Sequence, residues 1–192
     1  MFFIPGMLIS IVTFPGVIVH ELAHQLFCYL RRVPVYQVKY FQPQNPCGYV
    51  LHEATENPLN NFVISMGPFI VNTLLGAVIL LPASIEFTVY GLLTEIRGGN
   101  VGFDIFLRSG LMLVSGWLGI SVIMHAFPST GDAKVLVANI LKNKDVSMLT
   151  KVLVAPFVGF IYLGAIGSYF WLDLGYALLI AFLLPKLIGL FL

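Results

Sequence analysis

The chain has 192 residues, 58% of them hydrophobic and 10% charged, and its mean hydropathy of +0.93 lies far outside the range of a soluble domain. A formal net charge of +1 provides no field suited to nucleic acid. Two cysteines, Cys28 and Cys47, make neither a disulfide framework nor a C-x-x-C metal pattern. These bounds predict a polytopic membrane protein whose partner is the lipid bilayer, with no nucleic acid.

A transmembrane helix needs about 20 mostly apolar residues. Five stretches qualify: Phe2–Leu30, Leu59–Ala83, Phe103–Phe127, Val152–Leu172 and Leu174–Leu192. The first is interrupted by Pro5-Gly6 and Pro15-Gly16, which predicts a short entry segment, a kink and then a helix. It has no Lys or Arg before Arg31, so it lacks the charged start of a signal peptide and is expected to be retained.

Between the first two spans, Val35–Tyr40 and Gly48–His52 are rich in β-branched and aromatic residues and flank the turn Gln42-Pro43-Gln44-Asn45-Pro46. That pattern predicts a β-hairpin over about 35–52. Ser84–Gly102 reads as a second loop with a short interfacial helix at Ile85–Ile96, and Pro128–Lys151 as a third loop. No repeat or linker appears, so residues 1–192 read as one membrane-embedded domain. The expected fold class is all-α, about five transmembrane helices with a small β-hairpin between the first two.

Orientation follows from the basic residues. The first and third loops carry Arg31, Arg32, Lys39, Lys134, Lys142, Lys144 and Lys151, whereas the second carries only Arg97. The positive-inside rule makes the side of the first and third loops cytoplasmic and leaves the N-terminus outside. Arg108 and Lys186 are expected to snorkel to the interfaces.

The first span contains His20-Glu21-Leu22-Ala23-His24. Residues four apart on a helix share a face, so both imidazoles can reach one metal ion, and Glu21 beside them can polarise a metal-bound water. Ionisable groups at membrane depth are costly, and three in five residues point to function rather than packing. His24 precedes Arg31 by seven residues, about 10 Å along a helix, which places the site near the cytoplasmic face. A catalytic zinc takes three protein ligands and a water. Two residues have the right depth for the third position, His125 and Asp132, the latter in the turn Phe127-Pro128-Ser129-Thr130-Gly131-Asp132.

Three motifs together resemble the site-2 protease family of intramembrane zinc metalloproteases. They are His20-Glu21-Leu22-Ala23-His24, then Gly67-Pro68-Phe69-Ile70-Val71-Asn72, similar to the family's G-P-x-x-N, and then the Pro-containing turn ending in Asp132. The resemblance covers roughly Val19 to Lys134. It implies His20, His24 and Asp132 as ligands of one Zn2+ per chain, and Glu21 as the catalytic base. It also implies cleavage of a single-span membrane protein substrate within or near its transmembrane segment. Met124 stands where family members commonly carry Asn, and Ala133 where they carry Gly. Asn72 and His125 are the candidates for substrate or oxyanion contacts, with helix packing as the main role of Gly67 and Pro68.

Other classes fit less well. A catalytically inactive metal-binding membrane protein or a metal transporter would need the histidines but not Glu21. A di-iron desaturase needs many more imidazoles than the four present. A bis-histidine haem is disfavoured, because His20 and His24 share one helix face.

Overall fold

The computed structural model describes residues 6–87 and 102–189. Helix α1 (Gly6–Val12) and helix α2 (Phe14–Leu30) meet at 90°. Thr13 forms the corner, its hydroxyl donating to the Ile9 carbonyl at 2.7 Å. Pro15 follows in the first turn of α2, where a missing N–H removes no helical hydrogen bond. The predicted kink is thus a right-angle break, and the expected first span is a bent pair of helices.

Strands β1 (Val35–Lys39) and β2 (Tyr49–His52) pair antiparallel, Val38 opposite Val50 and Lys39 opposite Tyr49, with an irregularity between Val35 and Gln37. The hairpin is tied back to α2 by Tyr40, whose hydroxyl donates to Gln25 Oε1 at 2.5 Å. Helix α3 (Pro58–Ile85) is capped by Asn57, whose side chain accepts from Leu59 N and Asn60 N. Helix α4 (Phe103–Met124) is followed by α5 (Thr130–Leu136), which runs on through a π-helical turn at Val137–Leu141. Helices α6 (Met148–Ser168) and α7 (Leu172–Gly189) complete the bundle.

Helices α3, α4, α6 and α7 are each long and apolar enough to cross a bilayer, and the bent α1–α2 pair makes a fifth candidate. Their outward faces are apolar, with Leu74, Val78, Leu113 and Leu163 exposed, while Asn61, Ser65, Asn72 and Ser121 are buried. That arrangement, apolar outside and polar inside, suits hydrocarbon as the solvent. The chain is an all-α polytopic membrane protein with a small two-stranded sheet.

The expected third loop needs correction. Pro128 and Gly131 suggest irregular chain throughout, but helix resumes at Thr130, and its face Ala133, Leu136 and Ile140 is fully buried against Met66, Val154, Val158 and Ile161. Of that stretch only Pro128–Ser129 and Lys142–Ser147 remain outside helix. Helix α3 also runs two residues past the expected Ala83 to Ile85. The expected interfacial helix at Ile85–Ile96 falls mostly outside the described residues, as do the last three residues of the fifth span. Arg108 does not simply snorkel: its guanidinium pairs with the buried carboxylate of Glu86. Lys186 sits with its Nζ 3.7 Å from the centroid of the Phe182 ring.

Candidate metal centre

One turn of α2 separates His20 from His24, and the two rings meet edge to face with Nε2 atoms 3.2 Å apart. Each ring is anchored at its other nitrogen. His20 Nδ1 donates to the His125 carbonyl at 2.7 Å, and His24 Nδ1 to the Ile64 carbonyl at 3.0 Å. A carbonyl oxygen can only accept, so both Nδ1 atoms carry the proton. In the neutral imidazoles both Nε2 atoms then present lone pairs to each other. Two lone pairs at that separation repel unless a cation lies between them.

Asp132 supplies the third donor. One oxygen, Oδ2, is taken up by the start of α5, accepting from Ser129 N at 2.8 Å and from Ser129 Oγ at 2.6 Å. Ser129 Oγ accepts in turn from Asp132 N, which closes a capping box. The other oxygen, Oδ1, lies 3.6 Å from His24 Nε2. Asp132 is therefore both a helix-capping carboxylate and a site carboxylate, one oxygen for each.

One ligand atom from each of His20, His24 and Asp132 fits within a mutual distance of 4.8 Å. Tetrahedral zinc with bonds of about 2.0–2.1 Å sets neighbouring nitrogens about 3.3 Å apart, close to the observed pair. Two imidazoles with tautomers fixed by backbone acceptors, joined by an oriented carboxylate, are the donor set a divalent metal requires. The residues present fit the implied group.

Glu21 is buried beside these ligands, 8% exposed, and shares their surroundings with the Asp132 carboxylate. Among the described residues its carboxylate has no hydrogen-bond partner, and it faces a cavity of about 590 Å³. The cavity runs past Val17 and His20 of α2, Gly48 of the hairpin turn, and His125 and Ser129 at the break between α4 and α5. The turn between α6 and α7 and the start of α7 also line it, with Trp171 and Asp173. Lys and Arg are absent from the lining among the described residues. A cavity furnished with carboxylates and imidazoles and without fixed cations favours a bound cation.

The site needs close backbone approach. A Cβ on Gly16 would fall 1.9 Å from the Ser121 carbonyl oxygen and 2.6 Å from His125 Nδ1, so only glycine lets α2 reach α4 here. A Cβ on Gly48 would fall 2.7 Å from Glu21 Cγ, so the hairpin turn lies directly against the general-base candidate.

The sequence reading offers Asn72 and His125 as substrate or oxyanion contacts. The structure gives their donors other partners. Asn72 is 0% exposed, with Nδ2 donating to the carbonyls of Gly16, Val122 and His125 at 3.1–3.2 Å. The His125 ring lines the cavity, but its Nδ1 donates to the Ser121 carbonyl at 3.0 Å, and its own carbonyl holds His20. Three contributors escaped the sequence reading: Ser129, Gly48 and the Ile64 carbonyl. Ser129 carried a local signal, the S-x-x-D spacing to Asp132. The approach of Gly48 to Glu21 is a long-range contact with no local signature.

Known protein families, curated proteins and solved structures contain no match to this chain. The likeness to site-2 proteases rests on the three motifs.

Proposed function

We propose that the protein is an intramembrane zinc metalloendopeptidase that hydrolyses a peptide bond in or near the transmembrane segment of a membrane-anchored protein. The observation that carries this reading is the close pair of Nε2 atoms with Asp132 Oδ1 beside them, His20 of that cluster lining the same cavity as Glu21. Zinc held by His20, His24 and Asp132 would supply a Lewis acid and bring a bound water toward a neutral pKa. Glu21, buried and without a competing hydrogen bond, takes a proton from water at its carboxylate and returns it to the leaving amine. A metal-binding protein or transporter would make no use of that carboxylate.

The substrate backbone must be extended to offer a carbonyl, since helical hydrogen bonds otherwise occupy it. Among the described residues, the hairpin whose turn touches Glu21 has an unpaired edge on each strand, which an unwound segment can pair with by β-augmentation. Arg31, Arg32 and Lys39 between α2 and α3, and Lys142 and Lys144 between α5 and α6, mark one face as cytoplasmic. The metal site then lies toward that face and the N-terminus lies outside.

The test is elemental analysis of purified protein beside cleavage of a single-span substrate in detergent, for the wild type, His24→Ala and Asp132→Ala. The expected result is about one zinc per chain in the wild type, lost in both variants together with cleavage. Wild-type protein that takes up no metal after reconstitution with zinc would overturn the reading. Metal retained in Asp132→Ala would remove Asp132 from the ligand set.

A further inference from the structure

Both metal-facing histidines hang from backbone carbonyls, and both carbonyls depend on one stretch of α3, Gly67-Pro68-Phe69-Ile70-Val71-Asn72. In an α-helix the N–H of residue 68 bonds the carbonyl of residue 64. Pro68 has no N–H. The Ile64 carbonyl is thereby left without its helical donor, and it accepts from His24 Nδ1 instead.

The second acceptor, the His125 carbonyl, lies at the C-terminal cap of α4, where carbonyls lack helical donors. Asn72 reaches it from α3 at 3.1 Å, along with Val122 O of the same helix end and Gly16 O, one turn before His20 on α2. Three carbonyls around one amide end identify that end as the nitrogen. The opposite atom, Asn72 Oδ1, is buried without a partner among the described residues. A buried acceptor left unsatisfied is costly, so the amide serves this place through its donors. Gly67 completes the segment: a Cβ there would fall 2.0 Å from Phe27 Cδ2, and its absence brings α2 against α3 at this level.

Taking His20 and His24 as metal ligands, we infer that Pro68 and Asn72 are positioning residues of the metal centre. Pro68 frees the carbonyl that sets the tautomer and ring angle of His24. Asn72 fixes the carbonyl that does the same for His20. Neither touches the metal or the reacting atoms.

The two roles make a prediction that packing alone does not. Proline inside a helix is destabilising, so Pro68→Ala restores a helical hydrogen bond. The same new N–H competes with His24 for the Ile64 carbonyl. The experiment uses full-length, metal-free protein in detergent, measuring its thermal unfolding and then titrating Co2+ by visible absorption. Metal-free Pro68→Ala is expected to unfold at or above the wild-type temperature, while its Co2+ dissociation constant rises about 10- to 100-fold, as for loss of an outer-shell partner. Its ligand-field bands should shift as well. Asn72→Asp, which turns an acceptor toward three carbonyls, should weaken Co2+ binding as strongly. Asn72→Ser, which keeps one donor and disturbs the fold less, should fall between. Wild-type affinity and spectrum in both Pro68→Ala and Asn72→Ser would overturn the inference while leaving the metal centre intact. A wild-type protein that binds no Co2+ would overturn the metal reading and this inference with it.

Discussion

At the scale of single residues, Glu21 owes its position to an atom that Gly48 lacks. A methyl group there would sit 2.7 Å from Glu21 Cγ and 2.9 Å from Oε1. The obstructed atoms belong to a flexible side chain, so the cheapest relief is for Glu21 to move while the fold persists. Gly48→Ala should therefore keep its metal and its unfolding temperature but lose cleavage rate by about 10²-fold, the cost of misplacing a catalytic group by about 1 Å. Cleavage assays beside elemental analysis check this, and a wild-type rate in Gly48→Ala would show that the placement of Glu21 is immaterial. Glu21→Gln keeps the shape and removes the base. It should hold metal normally and lose roughly 10²- to 10⁴-fold in rate; normal cleavage by a metal-loaded Glu21→Gln protein would end its assignment as the base. His20, Glu21 and His24 were legible in the sequence because helical periodicity alone puts the two imidazoles on one face. Gly48 was not, and Asn72 was singled out by its motif but not its three carbonyl partners, because such contacts lie far away in the chain and local pattern says nothing about them.

Among the elements, α5 is where sequence and structure part most. Pro128, Gly131 and the lysines of Pro128–Lys151 have the composition of a loop, yet twelve residues from Thr130 to Leu141 are helical. Two features favour the helix. Ser129 and Asp132 close a capping box at its start. Ala133, Leu136 and Ile140 recur on one face and fill the core between α3 and α6. The spacing of that face was present in the sequence but masked by Lys134 and Asn139, which occupy the other sides. The cap also fixes Asp132 Oδ2 and leaves Oδ1 for the site. Ser129→Ala should thus have two effects, a loss of about 1 kcal/mol of stability in the metal-free protein, as for other N-cap deletions, and weaker metal binding as Asp132 becomes free to rotate. Thermal unfolding with and without added zinc separates them. A Ser129→Ala protein whose zinc-induced stabilisation equals that of the wild type would mean that the cap does not orient the ligand.

For the molecule as a whole, hydropathy marked the apolar helices, because bilayer thickness sets a minimum helix length that composition must meet; four of the five expected spans are single helices long enough to cross, and the first is a bent pair. The Pro-Gly pairs announced a kink and Pro128 the end of the third span, but not the right angle between α1 and α2 or the return of helix at Thr130, which capping and packing decide. Both places line the cavity: Gly6, Met7, Ile9 and Ser10 of α1 and His125, Phe127, Pro128 and Ser129 of the α4–α5 connection, together with Glu21. Irregular backbone at that depth is tolerated where it is covered by protein or lines a hydrated space, which suits a hydrolytic centre. Access of water then depends on which face of the membrane the site is nearer to. His24 is held at the level of Ile64, six residues into α3, and Arg31 is bonded to Asn60 just below. At 1.5 Å per residue the candidate metal centre lies about 10 Å from the end of α3 that carries Pro58. The basic residues on that side predict that it faces the cytoplasm. A single cysteine at Asn143, between α5 and α6, in a chain with Cys28→Ala and Cys47→Ser, should resist a membrane-impermeant maleimide in intact cells and react once the membrane is opened. Labelling of Asn143→Cys from outside intact cells would invert the orientation and place the metal centre near the outer face.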